Sequence, residues 1–112
     1  MIEVCEVSAQ RFRAMGDPTR MAILELLRGG PRCVCKIQPE LGIAANLLSH
    51  HLKILREAGL ISSEKTGRWV EYKLESSALL QLHAAIPAPN FPNILFQSTL
   101  NQLKPFDQTV PS

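Results

Sequence analysis

Three cysteines in 112 residues, no basic segment at the amino terminus and no long apolar run set the first limits on this chain. An odd cysteine count without an export signal argues against a disulfide framework and for reduced thiols. The opening "MIEVCEVSAQ" carries acids and no basic n-region, so it does not read as a signal peptide. No apolar stretch approaches the ~20 residues that a membrane span requires, so no membrane partner is expected and a cytoplasmic location follows. Charge of one sign is scarce as well. Twelve Lys and Arg against 10 Asp and Glu leave a formal net charge of +2, so the placement of the basic residues must decide whether nucleic acid is a partner. No Cys-His-acid arrangement is visible and so short a chain leaves little room for a deep cleft, which excludes an enzyme reading.

What is present suffices for one globular domain, with 46% hydrophobic and 20% charged residues. Ser8 is expected to cap a first helix through "AQRFRAMG", ended by Gly16. Asp17 caps the next, with Pro18 at the first helical position, where its missing N–H costs nothing. Along "TRMAILELLRGG", Met21, Leu24 and Leu27 or Leu26 recur at helical spacing until Gly29-Gly30. Pro31 opens a third helix, "RCVCKIQPEL", in which Val34, Ile37 and Leu41 share a face. "NLLSHHLKILREAGL" has two unlike sides: Leu48, Leu52 and Leu55 form an apolar stripe, and Asn46, Ser49, His50 and Lys53 a polar one.

The period then switches from 3.6 to 2. "LISSEKT" and "RWVEYKL" read as a hairpin joined at Thr66-Gly67, with Val70, Tyr72 and Leu74 on one face and Trp69, Glu71 and Lys73 on the other. A last helix, "SSALLQLHAAI", carries Leu79, Leu82 and Ile86. Prolines 87, 89 and 92 forbid its continuation, which divides the chain into a domain over 1–86 and a proline-rich tail over 87–112. Phe91, Ile94, Leu95 and Phe96 are too apolar for a plain disordered extension, and the tail is expected to pack on the rest. Two short helices followed by a basic hairpin form the pattern of a winged helix-turn-helix, mainly α with a β-hairpin wing. The polar stripe suits base edges and phosphates, and Lys65 and Arg68 at the hairpin tip are placed to reach flanking backbone.

"DPTRMAILELL", "CVC", "LSHHLKILREAGLI" and "GRWVEYKL", in this order and spacing, resemble the ArsR/SmtB family of metal-responsive transcriptional repressors. The resemblance covers residues 9 to 83. It implies a winged-helix homodimer, built from the first and last helices, that binds double-stranded operator DNA without a cofactor and leaves it when an inducer binds. Asn46, Ser49, His50, Lys53, Lys65 and Arg68 are the DNA-contacting residues on this basis. The chain departs from the family where many members carry a capping residue, for Ala44 cannot cap. Asn46 is expected to start the helix later and take over the role.

Cys33 and Cys35 resemble the inducer site of the arsenic-sensing branch, with Cys5, on an amino-terminal arm, as the third ligand from one subunit to the other. Three thiolates without histidine suit As(III) or Sb(III) better than tetrahedral zinc, with cadmium, lead or bismuth as alternatives. On an ideal helix Cys33 and Cys35 start about 200° apart, so joining them at one centre requires a distorted helix. The rival reading is a thiol redox switch that uses the same cysteines. His51 is expected to be packed, a lone His83 to be structural, and Trp69 to pack the wing.

Overall fold

A computed structural model describes residues 1–87; the expectation that the tail packs on the rest through Phe91, Ile94, Leu95 and Phe96 lies outside the described residues. The first helix begins earlier than expected. α1 spans Ile2–Met15, so Ser8 lies inside it rather than capping it, and Gly16 closes it. Its apolar side chains Ile2, Val4, Val7 and Phe12 remain exposed, and only Ala14 is buried. Next comes α2 (Pro18–Leu26), where the Asp17 carboxylate accepts a hydrogen bond from the Arg20 backbone N–H at 3.1 Å and Pro18 occupies the first turn. The apolar stripe of this segment is Ile23, Leu24 and Leu27; Met21, expected on it, is 51% exposed.

The segment after Gly29-Gly30 departs from expectation. Arg32–Cys33 is a short strand, β1, and α3 (Val34–Leu41) begins only after it, with Cys33 as its N-cap residue in extended backbone. The predicted helix therefore loses its first two residues to a sheet. That sheet was legible only in part. β2 (Ile61–Thr66) and β3 (Trp69–Leu74) form the expected hairpin, joined at Gly67-Arg68 rather than Thr66-Gly67, and β3 also pairs with β1 to give the order β1-β3-β2. The β1 register is antiparallel, Arg32 opposite Tyr72 and Cys33 opposite Glu71.

α4 (Ala45–Glu57) carries Leu48, Leu52 and Leu55 into the core, where Ile23, Leu27, Ile37, Leu60 and Ile61 meet them. Spacings of four and three residues keep the three leucines on one stripe. The helix stops by a Schellman arrangement: Gly59 N–H donates to the Arg56 carbonyl at 2.9 Å and Leu60 N–H to the Leu55 carbonyl at 3.0 Å. Gly59 adopts φ 78°, the left-handed region that a side chain disfavours. α5 (Ser76–Ala85) closes the domain by burying Ala78 and Leu82 and packing on α1, where Arg11 donates to the Gln81 side-chain carbonyl at 2.6 Å and to the Ala58 carbonyl at 3.2 Å. His83 is exposed on it.

A methyl group on Gly59 would meet Arg11 at an ordinary 3.6 Å, so substitution there tests backbone conformation alone. Gly59→Ala should lower stability by about 1–2 kcal/mol in urea unfolding, the cost of a left-handed residue with a side chain. Gly29→Ala, where nothing lies within 4 Å and φ is not positive, should stay within about 0.5 kcal/mol of the parent. Equal losses at both sites would refute the assignment of the α4 stop.

Candidate functional site

Burial of the leucine stripe on one side of α4 leaves the other to solvent. Asn46, Ser49, His50 and Lys53 are all exposed on it, as the sequence pattern required. Lys53 lies 3.9 Å from Glu57 one turn on, both well exposed. Such a pair is worth at most about 1 kcal/mol, so the ammonium is readily given up to a stronger anion. The helix begins at Ala45 with Ala44 as its N-cap residue, extended and without a side-chain hydrogen bond. Asn46 does not take over as cap, contrary to expectation. The backbone N–H groups of the first turn therefore lack a side-chain partner, and their partial positive charge favours a phosphate. Lys65 near the end of β2 and Arg68 in the turn are exposed at the tip of the hairpin.

His51 points the other way. It is 8% exposed, packed as expected, with its Nδ1 3.2 Å from the Arg20 Nη1 and 4.0 Å from the Asp17 carboxylate. The hydrogen bond from the Arg20 backbone holds the Asp17 carboxyl below the usual carboxylate range, reinforced by the positive charge of the Arg20 guanidinium. Sequence reasoning missed Arg20. The "DPTR" run placed it in the first turn of α2, but nothing in that spacing revealed a partner 31 residues away.

The cysteine pair lies on the far side of the sheet junction. Cys33, buried, sits in β1, and Cys35, exposed, in the first turn of α3; their Cα atoms are 5.1 Å apart and the two sulfurs meet in the arrangement of a disulfide. The Cys33 sulfur also accepts a hydrogen bond from the Cys35 backbone N–H at 3.2 Å. No helix has to be distorted to unite them, which corrects the expectation drawn from helical geometry. Extended backbone at Cys33, φ −68° and ψ 142°, turns its side chain back toward the helix it precedes. Beside the pair is an open groove of about 220 Å³ lined by Cys33, Cys35, Lys36, Thr66, Trp69 and Glu71. Trp69 is 57% exposed at this groove instead of packing the wing. Cys5 is exposed and lies within α1, not on an arm that precedes it. Among the described residues no three His, Cys, Asp or Glu side chains gather at a single point. One chain thus offers a soft ion two sulfurs, which is short of the three of a trigonal site and the four of tetrahedral zinc.

Comparison with known proteins agrees with this layout. The pattern of the family described as "Bacterial regulatory protein, arsR family" matches residues 17–63. An HTH-type transcriptional regulator of Methanocaldococcus jannaschii is 47% identical over 72 residues, 63% of this chain and 81% of that protein. The arsenical resistance operon repressor of Bacillus subtilis is 41% identical over 66 residues, covering 58% of this chain and 63% of the repressor, so the match spans less than two thirds of that relative's length. Among solved structures, a "possible transcriptional regulator for arsenical resistance" superposes with a TM-score of 0.62 at 31% identity, over 80% of this chain and 82% of that one. Among the described residues no helix is long and apolar enough to cross a membrane. A relative this similar over so much of its length, together with the family match, shows that the chain belongs to the arsR family of bacterial regulatory proteins, as a winged-helix, DNA-binding transcriptional repressor of the ArsR/SmtB type and not an enzyme.

Proposed function

We propose that this repressor is a cytoplasmic homodimer that leaves its operator when a thiophilic metalloid, arsenite or antimonite, is bound by Cys33 and Cys35. The observation that carries the reading is the meeting of these two sulfurs at the junction of β1 and α3. Each reduced thiol replaces one hydroxyl of the trivalent metalloid and releases one water, and Cys5 of the partner subunit supplies the third sulfur, since exposure on α1 leaves it open to a second chain. The exposed apolar side chains of α1, with Leu80 of α5 and Ile86 just after it, support a dimer through these two helices. Two-fold symmetry then presents the two α4 helices to successive major grooves, about 34 Å apart.

Release follows from the backbone. Cys33 is tied through its ladder to Glu71 on β3, and the same strand leads into the tip that carries Lys65 and Arg68. In the reduced protein, one ion bonded to both thiolates fixes Cys33 of β1 against Cys35 of α3, and the sheet passes that constraint to the wing rather than to the leucine stripe of α4. Turning a dimer from 99% to 1% DNA-competent needs about 5.5 kcal/mol of differential binding. Coordination by several thiolates is strong enough to supply it. The sulfur contact also supports a second reading, in which oxidation of the same pair to a disulfide releases the DNA without metal.

Fluorescence anisotropy of the reduced protein on its own upstream DNA separates these readings. Arsenite should release the DNA, and Cys33→Ser or Cys35→Ser should bind DNA as before yet ignore arsenite; Cys5→Ser should weaken the response without weakening DNA binding. Release by peroxide alone would transfer the site to the redox reading. The DNA face makes a separate prediction. Replacing Lys65 and Arg68 together by Ala should weaken all DNA sequences alike and reduce the salt dependence of log K by about 2, whereas Ser49→Ala or His50→Ala should cost about 1–3 kcal/mol at one operator position. An unchanged salt slope would remove the wing from the interface.

A further inference from the structure

Arg20, on α2, ties two further helices, α1 and α4, with one guanidinium. Its Nε donates to the Ala14 carbonyl at 2.6 Å, its Nη2 to the Arg13 carbonyl at 3.4 Å, and its Nη1 lies 3.2 Å from His51 Nδ1. The first two bonds hold the last turn of α1. The third reaches α4 at the residue between His50, which faces solvent, and Leu52, which is buried. Asp17 completes the arrangement by fixing the Arg20 backbone through the α2 cap. This cluster sits opposite the polar face of α4 and has no part in the thiol site.

A guanidinium carries only donors, so the Arg20–His51 hydrogen bond exists only while Nδ1 is an unprotonated acceptor. That fixes the ring as the neutral tautomer with its proton on Nε2. We propose that Arg20 and His51 are positioning residues for operator binding: together they set the rotation of α4 on the core, and the repressor reads DNA with His51 neutral. A proton taken from solvent onto Nδ1 removes the acceptor and sets two cations face to face. Charged and titratable groups face the ring from three helices. The Arg20 guanidinium lies nearest, 3.2 Å from Nδ1, and the Asp17 carboxylate, 4.0 Å away, already accepts from the Arg20 backbone. From α4 itself the His50 ring stands 5.5 Å away, centroid to centroid, and Arg13 of α1, Arg20 and Glu57 of α4 line the neighbouring groove. Protonation therefore loosens α4 at the point where its DNA face is aligned.

The proposal rests on α4 as the helix that reads DNA, and its test separates the two claims. Operator affinity of the full-length protein, measured by anisotropy, should fall about tenfold from neutral to acidic pH. In His51→Gln, where an amide oxygen can accept from Arg20 but cannot titrate, affinity at the upper pH should stay within about threefold of the parent and the acid loss should vanish. His51→Leu should bind operator about tenfold more weakly at every pH. Equal pH profiles for the parent and His51→Gln, or unchanged affinity in His51→Leu, would overturn the positioning role. Absence of DNA binding at any pH would instead refute the reading of α4. One measurement needs no variant: the long-range ¹H–¹⁵N spectrum of the parent at neutral pH should show the His51 proton on Nε2, and a proton on Nδ1 would end the proposal.

Discussion

The structure depends on one constraint: α4 must bury a stripe of leucines against the centre of the domain. Leu48, Leu52 and Leu55 are almost without solvent exposure, and they meet side chains from α2, α3 and the beginning of β2. Each of these leucines is worth roughly 2–5 kcal/mol by the usual cost of truncation to Ala, a large share of the total for a domain this size. Because side chains on a helix have fixed angular relations, burying that stripe also determines which residues face outward. Asn46, Ser49, His50 and Lys53 are presented to solvent as a consequence of packing on the opposite side. The polar face is aligned by apolar contacts, and its alignment is no better than theirs.

The Arg20 cluster refines that alignment with directional bonds. Leucine packing is tolerant of small rotations, whereas a hydrogen bond from a guanidinium to one ring nitrogen weakens steeply with angle. Placing such a bond between the buried stripe and the exposed face gives α4 a rotational stop. Its partly buried setting raises the cost of losing a partner, since the groups left behind are poorly hydrated. Asp17 serves twice here, as cap for α2 and as the anion that balances Arg20.

Two residues of strand, Arg32 and Cys33, do the corresponding work at the thiol pair. Without them Cys33 and Cys35 would belong to one helix and point apart. With them, Cys33 is held by the sheet and Cys35 by α3, and the pair spans the joint between the two. On the proposed reading, this explains why an effector so far from the polar face of α4 acts on DNA binding at all: the joint is a neighbour of the wing, through the register of Cys33 with Glu71. Trp69 and Glu71 from β3 line the same groove, so on that reading the hairpin borders both the proposed effector site and the proposed DNA surface.

The sequence by itself determined the winged-helix order of elements, the capped start of α2, the two faces of α4 and the hairpin, because each rests on local periodicity, a cap or a glycine. It also placed His51 in the interior and Cys33 with Cys35 as the effector candidate. The early start of α1 was not legible, since its exposed Ile2, Val4 and Val7 give no single-chain core pattern. Nor was the Ala44 start of α4, where no side chain signals the boundary. Tertiary structure alone decided the pairing of β1 with β3, the closeness of the two sulfurs and the reach of Arg20 to His51. Two residues are too few to show a period of two, and partners separated by 31 or by nearly 40 positions leave no trace in local spacing. Those contacts exist only once burial of the common core has brought distant segments together.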